Sequence, residues 1–196
     1  MSVSSTQIGN RALQLIGSKR AASFFPPEAT KGARAVNAAY DMVRQRCLVE
    51  YNWGFATGWH QVSADGTNPD TDPDYGYRFQ IPVGVLKVIV VKSTGGGLIK
   101  DWTQNGRYIH SNESGPLFIR GLEDVEDTTL FHPLFVSYLA LSLAMDIVEE
   151  ITQSGTKQDR IIARLENREE KLAVQLEAEI GVPEDLEVDS YIAARA

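Results

Sequence analysis

Residues 133–148, with the sequence PLFVSYLALSLAMDIV, decide how this chain of 196 residues folds. Apolar side chains recur in it at three- and four-residue steps: Leu134, Tyr138, Leu141, Met145 and Val148. That period predicts an α-helix, and Leu139 and Leu143 widen its apolar stripe, so the helix needs cover on most sides. Because Pro133 and Asp146 are unfavourable in a membrane span, we expect a buried core helix and no membrane association.

Three more helices are predicted to supply that cover. The first has Ser5 or Thr6 as its N-cap and ends at Gly17, a residue suited to the left-handed conformation that closes a helix. The second covers about residues 28–51 and the fourth about residues 156–180, each with one apolar stripe. Neither the N-terminal nor the C-terminal pair can bury its stripes alone, so we expect all four to pack together.

The region between the helical pairs, residues 55–127, has a different pattern. Six short apolar or alternating runs predict strands at residues 58–63, 75–80, 85–92, 98–102, 106–110 and 117–122. Turn-forming residues separate them, and Asn105-Gly106 is the strongest hairpin signal. Short strands with frequent turns predict an antiparallel sandwich or a small barrel.

The sequence thus predicts an α+β fold. It consists of an antiparallel bundle of about four helices, discontinuous in sequence, with an inserted antiparallel β-sandwich or small barrel. The predicted domains are a helical bundle formed by residues 1–54 plus 128–181 and a β-rich insertion at residues 55–127. Residues 182–196 form a C-terminal tail.

Charge is unevenly distributed along the chain, whose net charge is −7. Residues 1–60 contain seven Lys/Arg and three Asp/Glu, while residues 111–196 contain seven Lys/Arg and 18 Asp/Glu. The acidic C-terminal part argues against wrapping nucleic acid, since neutralising phosphates requires clustered Lys and Arg. The asymmetry instead favours contact between oppositely charged surfaces.

The sequence shows no pattern that predicts catalysis, a metal site or a cofactor. None of His60, His110 and His132 has a second His or Cys at ligand spacing. The glycines at 95–97 lack the spacing of a phosphate-binding loop. The single cysteine, Cys47, lies on an apolar helix stripe and is interpreted as a buried thiol in a protein that matures in a reducing compartment. The N-terminus has no secretory signal pattern.

Basic residues of the first two helices are candidates for an inter-subunit surface. Arg34, Arg44 and Arg46 could form a basic face that meets an acidic neighbour, such as the C-terminal part of another copy. Ordinary solvation of a helix surface is the alternative explanation.

Six stretches, taken in order, resemble one protein family. They are ALQLIG at 12–17, ARAVNAAYD at 33–41, YNWGFA at 51–56, VLKVI at 85–89, GRYI at 106–109 and PLFVSYLA at 133–140. Over residues 5–180 the chain resembles the tail tubular protein A, or head-to-tail adaptor, of short-tailed bacteriophages. The part after Gly181 has no counterpart in the resemblance.

The resemblance implies a structural protein of the virion. It would form a homo-oligomeric ring of about a dozen copies between the portal protein and the tail nozzle protein, assembled in the host cytoplasm. Double-stranded DNA would pass through the lumen without sequence-specific binding. The implied fold is a helical bundle with a β-sandwich insertion, and no cofactor or catalytic residue is implied.

Two hypotheses follow for this function. Because an acidic lining would keep DNA from adhering, we nominate the acids of the fourth helix as lumen-facing: Glu166, Glu169, Glu170 and Glu177. The tail combines acids with an apolar end and is predicted to dock on the portal or a neighbouring subunit through Glu184, Asp185, Glu187, Tyr191 and Ile192. A frayed terminus is the alternative for the tail.

Two other functions remain open. A glycan-binding or glycan-cleaving tail protein would use aromatic side chains of the β-rich insertion to stack on sugars: Trp59, Tyr75, Tyr77, Trp102 and Tyr108. A soluble helical regulator would bind a partner through its amphipathic helices.

Overall fold

The computed structural model describes residues 3–65 and 74–179, with side chains described as far as Asn167. Within these residues the chain has an α+β fold of four α-helices and two three-stranded antiparallel sheets. The helices are α1 (Ser5–Leu15), α2 (Lys31–Glu50), α3 (Pro133–Thr152) and α4 (Gly155–Glu179). Two short 3-10 helices, Gly54–Ala56 and Thr128–Leu130, flank the strands. The predicted fold class is confirmed at this level.

The helix termini are set by local capping hydrogen bonds. Ser4, one residue before the predicted cap, accepts the Gln7 N–H at 3.2 Å, while the Gln7 side chain accepts the Ser4 N–H at 2.9 Å. Gly17 has φ +72°, so the predicted left-handed ending of α1 is confirmed. α2 begins at Lys31, later than predicted, because the Thr30 hydroxyl caps it by accepting from Ala33 at 3.2 Å.

The core helix α3 begins at Pro133, where the missing N–H of proline costs little. The His132 ring caps it by accepting the Leu134 N–H at 3.3 Å. Gln153, in the left-handed conformation with φ 49°, ends the helix and turns the chain into α4. The predicted break at Ser154-Gly155 is therefore confirmed to within a residue.

The helices at the two ends of the chain bury one common apolar cluster. α3 lies at its centre, in contact with α1, α2 and α4. Half of its 20 residues are buried: Phe135, Tyr138, Leu139, Ala140, Leu141, Ser142, Leu143, Ala144, Ile147 and Val148. α4 contributes Ile161, with Leu165 partly buried against it. No helix among the described residues has both the length and the apolar character to cross a membrane.

Aromatic rings fill the end of this cluster next to the sheets. Trp53 is 1% exposed, and its indole N–H donates to the carbonyl of Cys47 at 2.8 Å. Its ring packs edge-on against Phe135, with centroids 5.1 Å apart. Tyr51, Phe55, Phe131 and Tyr138 complete the group. The segment that connects α2 to the first strand is therefore held in place by closely packed aromatic rings.

The strands form two sheets that share a second apolar cluster, the β core. The strands are β1 (Thr57–Val62), β2 (Tyr77–Gln80), β3 (Val85–Ser93), β4 (Trp102–Asn105), β5 (Tyr108–Ser111) and β6 (Leu117–Glu123). One sheet has the order β1-β6-β3 and the other β2-β5-β4. Val62, Val91 and Ile119 of the first sheet meet Phe79 and Ile109 of the second in the β core.

One predicted strand was placed wrongly. Residues 98–101 belong to no strand, and β4 begins only at Trp102. The reason is that Leu98 and Ile99 fold back onto the end of β3, where the Ile99 N–H donates to the Val91 carbonyl at 2.9 Å. The predicted hairpin is confirmed between β4 and β5, with Asn105 paired to Tyr108 across Gly106, whose φ is +59°.

Two tryptophans provide a matched test of the helical core. Trp53→Ala should lower the free energy of unfolding by about 3–5 kcal/mol, because it leaves a cavity and removes a buried hydrogen bond. Trp59→Ala, at a ring that is 49% exposed, should cost far less. Urea unfolding followed by circular dichroism measures both. Equal losses for the two variants would contradict this description of the core.

Candidate interaction surfaces

Arg44 of α2 is buried at the junction between the helices and the sheets. Only 2% of its side chain is exposed. One guanidinium nitrogen, Nη1, donates to the carboxylate of Asp124 and, at 2.7 Å, to the carbonyl of Val125. Gln45 donates to the other oxygen of Asp124 at 2.7 Å. These bonds fasten the segment that follows β6 to the side of α2.

The charge on Arg44 is balanced mainly by Asp124. That carboxylate is 18% exposed, whereas Asp41 and Glu126, at 3.6 and 3.8 Å from Nη2, are 76% and 82% exposed. Water screens the two exposed partners, so they contribute little. The main effect of the buried pair is to hold residues 124–125 against α2, because removing one partner would leave the other charge poorly solvated.

The predicted basic face of three arginines is not formed. The prediction was wrong for Arg44, because this side chain is buried and paired with Asp124 and so belongs to no exposed surface. Arg46 contacts Asp146 of α3 at 3.1 Å and Glu50 at 3.9 Å, so it joins two helices of its own subunit. Arg34 is exposed, and it forms no ion pair with the described carboxylates. The sequence could not reveal this, because Asp124 lies 80 residues from Arg44.

The proposed lumen acids fall on α4, of which the structure describes only part in full. Glu166 is exposed on the described part. Glu169, Glu170 and Glu177 lie on the helical backbone of α4, but their side chains are outside the described residues. The proposed docking residues of the tail also lie outside them: Glu184, Asp185, Glu187, Tyr191 and Ile192.

The five aromatic residues considered for glycan stacking do not share one surface. Tyr77 and Trp102 pack against the β core. Tyr108, under the guanidinium of Arg78 at 4.8 Å, lies on the opposite face of the β2-β5-β4 sheet. Tyr75 donates to Asp101 at 3.0 Å, and Trp59 belongs to the other sheet. The arrangement gives no common stacking platform.

Trp59 instead borders a shallow depression on the β1-β6-β3 sheet. It lies opposite Arg120, on the face turned away from the β core. The ammonium of Lys92 is 5.3 Å from the Trp59 ring, and Phe118 lines the same hollow of about 240 Å³. Exposed aromatic rings are enriched in interfaces between proteins.

A larger concave surface lies among three helices, and we call it the arginine groove. Its volume is about 450 Å³. It is lined by Arg11 and Leu15 of α1, by Val136, Ser137 and Leu141 of α3, and by Arg164 of α4. The sequence pattern does not indicate Arg164 as a site residue, because only the packing of the helices brings it to the same groove as Arg11.

Three buried groups have raised pKa values. Burial raises the pKa of the Cys47 thiol to about 12, which agrees with the predicted inert, buried cysteine. Burial also raises the pKa of Tyr40 to about 12, although nearby Arg44 opposes this. For Tyr138, burial and the hydrogen bond that its hydroxyl donates to Glu50 both raise the pKa. The described residues contain no cluster of three or more potential metal ligands.

The Arg44 junction can be tested by substitution. Arg44→Met should lower the free energy of unfolding by about 3–5 kcal/mol, because Asp124 loses its buried partner. The matched change Arg34→Met, on the exposed face of the same helix, should stay within about 0.5 kcal/mol. The double variant Arg44→Met, Asp124→Leu should recover part of the loss. Chemical unfolding measures all three, and equal effects at Arg44 and Arg34 would contradict the assignment.

The raised pKa values predict loss of stability in alkali. Below pH 9 the Cys47 thiol is protonated in both states and has no effect on the pH dependence. Between pH 9 and about pH 12 the unfolded chain releases this proton first, so stability falls as pH rises. The urea midpoint should therefore decrease over this range, and less steeply in Cys47→Ala. A constant midpoint would contradict the burial of these groups.

Comparison with protein-family models and with curated proteins gives no match. No model of a protein family matches the chain, and no curated protein matches it significantly. The resemblance to head-to-tail adaptors therefore depends on the ordered sequence stretches alone.

Proposed function

We propose that this chain is a head-to-tail adaptor subunit, a structural protein that forms a ring between a portal protein and a tail nozzle protein. The observation that carries the proposal is the arrangement of its two cores. Helices from both ends of the chain bury one apolar cluster, and the strands between them in sequence bury another. That organisation agrees with the fold implied by the resemblance, whose motifs follow in the same order.

In finer detail, we propose an antiparallel helical bundle that carries an inserted β-sandwich. The sandwich is favoured over a barrel because two separate sheets contribute to one core. The proposed domains stay as residues 1–54 plus 128–181 and residues 55–127, with a tail at 182–196. The Arg44–Asp124 pair supports this division, since it would fasten the base of the insertion to the bundle.

The charge distribution suits a passage for DNA. An acidic lumen repels phosphate weakly along its whole length, so the genome slides without being held. Glu166 is exposed on α4, and we propose that it lines the lumen together with Glu169, Glu170 and Glu177. A structure of the assembled ring with these side chains outside the channel would contradict this part of the proposal.

The partners follow from the same proposal. A ring of about a dozen copies would meet the portal on one side and the nozzle on the other, at the head-to-tail junction of the virion. The exposed depression at Trp59 and the arginine groove are separate surfaces, one on a sheet and one among helices. Two such surfaces support a subunit that contacts more than one neighbour.

Mixing with portal protein tests the proposed function. The purified chain and the portal of the same phage should form a complex whose mass, by native mass spectrometry, corresponds to a portal bearing a ring of this chain. Each protein alone is the control. A monomeric chain in isolation is compatible with the proposal, because the portal can template the ring. Absence of binding to the assembled portal would exclude the adaptor function.

A further inference from the structure

The arginine groove has the chemistry of a binding site for an acidic, partly apolar peptide. Leu15, Val136 and Leu141 give it an apolar floor, and Arg11 and Arg164 are exposed at its sides. Guanidinium groups bind carboxylates with two parallel hydrogen bonds, and apolar floors accept aliphatic or aromatic side chains. The groove therefore favours a ligand that offers carboxylates next to a hydrophobic group.

Neither arginine of the groove has a nearby acid on its own helix. α1 contains no Asp or Glu at all. Around Arg164, the positions one turn away on α4 are occupied by Arg160, Ile161, Asn167 and Arg168. Among the described side chains, neither Arg11 nor Arg164 takes part in an ion pair. Two cations that face one concavity, with no counter-charge among the described side chains, would be stabilised by an incoming anion.

The chain itself carries a segment with matching chemistry. Residues 183–194 contain four acids and no Lys or Arg: Glu184, Asp185, Glu187 and Asp189. Tyr191 and Ile192 follow directly. An extended peptide with these residues presents carboxylates first and then two large apolar groups within a few residues. We infer that the arginine groove binds the segment 184–192 of a neighbouring copy of this chain.

The course of α4 favours a neighbouring copy over the same chain. Lys157, near its start, donates to the carbonyl of Ile16 at the end of α1 at 3.1 Å, while Arg164 lies near Arg11. α4 therefore runs antiparallel to α1, and the 15 residues from Arg164 to Glu179 carry the backbone about 22 Å beyond the groove. The following segment would have to reverse to reach its own groove. A groove on an adjacent copy that lies ahead of α4 would require no such reversal.

Such a contact joins two different surfaces, so it leaves one copy with a free groove and the other with a free segment. Contacts of this heterologous kind close into rings when the rotation between copies divides a full turn. The inference rests on the proposed ring only for the presence of a neighbour. It adds the residues through which the copies would hold one another.

Disulfide trapping between full-length chains tests the inference. One chain carries Ser137→Cys, at an exposed position in the groove, and a size-tagged chain carries Ile192→Cys. Mixed under mild oxidation, they should give a disulfide-linked pair of different chains. The wild-type chain, whose Cys47 is buried, measures the background. Adding Arg11→Glu and Arg164→Glu to the groove chain should reduce the yield about tenfold or more.

The control variant carries the same charge change elsewhere. Lys19→Glu with Arg34→Glu alters two exposed cations outside the groove and should leave the yield unchanged. Glu187→Lys with Asp189→Lys in the tagged chain should restore trapping to the Arg11→Glu, Arg164→Glu groove. Circular dichroism of each variant verifies that it is folded. Rescue by reversed charges would show direct contact, which a folding defect cannot imitate.

Three outcomes would overturn the inference. They are no cross-link above background, a yield that does not respond to the groove arginines, or trapping only within a single chain that carries both cysteines, whatever the dilution. Because portal protein is absent, the experiment measures the contact between two copies of this chain and not the binding of portal. If the chain binds portal but gives no cross-link, this inference alone is wrong. If the chain gives the cross-link but does not bind portal, only the adaptor function is wrong.

Discussion

The structure depends on one constraint, which is that α3 must be covered on nearly every side. Ten of its 20 residues are buried, and they include neighbours such as Leu139, Ala140, Leu141 and Leu143, which point in different directions around the helix. A helix of this kind has no solvated face to spare, so a two-helix hairpin cannot satisfy it. The chain meets the requirement by bringing α1 and α2 back from its other end and by adding α4 directly after it. The helices are thus separated in sequence because α3 needs cover from both ends of the chain. The segment that contains the strands begins after α2 and ends before α3, and both of its ends lie near the start of α3.

That return is achieved by apolar contacts and by one charged joint. Leu122 of β6 lies in the helical cluster, and Leu86 and Ile89 of β3 are partly buried against that cluster. The β1-β6-β3 sheet therefore contacts the helices at one end, and one of its faces covers the β core. The Arg44–Asp124 pair lies just beyond that contact. Apolar burial supplies most of the stabilisation here, since a buried ion pair gains little over a hydrophobic replacement. The ion pair contributes orientation. The planar guanidinium of Arg44 donates to the carboxylate of Asp124 and to the carbonyl of Val125, and both bonds form only if residues 124–125 lie in a narrow range of positions beside α2.

Local signals in the sequence predicted the elements, whereas the surfaces needed the tertiary structure. Helical periodicity, the glycine at position 17 and the Asn105-Gly106 turn are local features, and each was found close to its predicted place. The strand predicted at residues 98–102 failed because an apolar run can also fold back on the end of another strand. The prediction for Arg44 failed for a different reason, since its partner is far away in sequence. The arginine groove was invisible for the same cause: Arg11 and Arg164 are ordinary helix-surface residues until packing places them on one concavity. At Arg44 and in the arginine groove, the contacts join residues far apart in the chain, and sequence patterns could not predict them.

The division of charge has a structural meaning once burial is known. Several basic residues of the N-terminal part are already used within the subunit, as Arg44 and Arg46 are by Asp124 and Asp146. These ion pairs neutralise two acids of the C-terminal part. They reduce its excess of negative charge only slightly, because most of its acids lie on α4 and in the residues that follow it. Among the described side chains Arg11, Arg34 and Arg164 form no ion pair, while the C-terminal part of the chain is strongly acidic. In the ring that we propose, contact between the acidic parts of two copies would be disfavoured, and contact between an acidic part and a surface that carries these arginines would be favoured. The proposed contact between unlike surfaces therefore fits this distribution of charge better than a symmetric dimer would, because identical surfaces would bring like charges together.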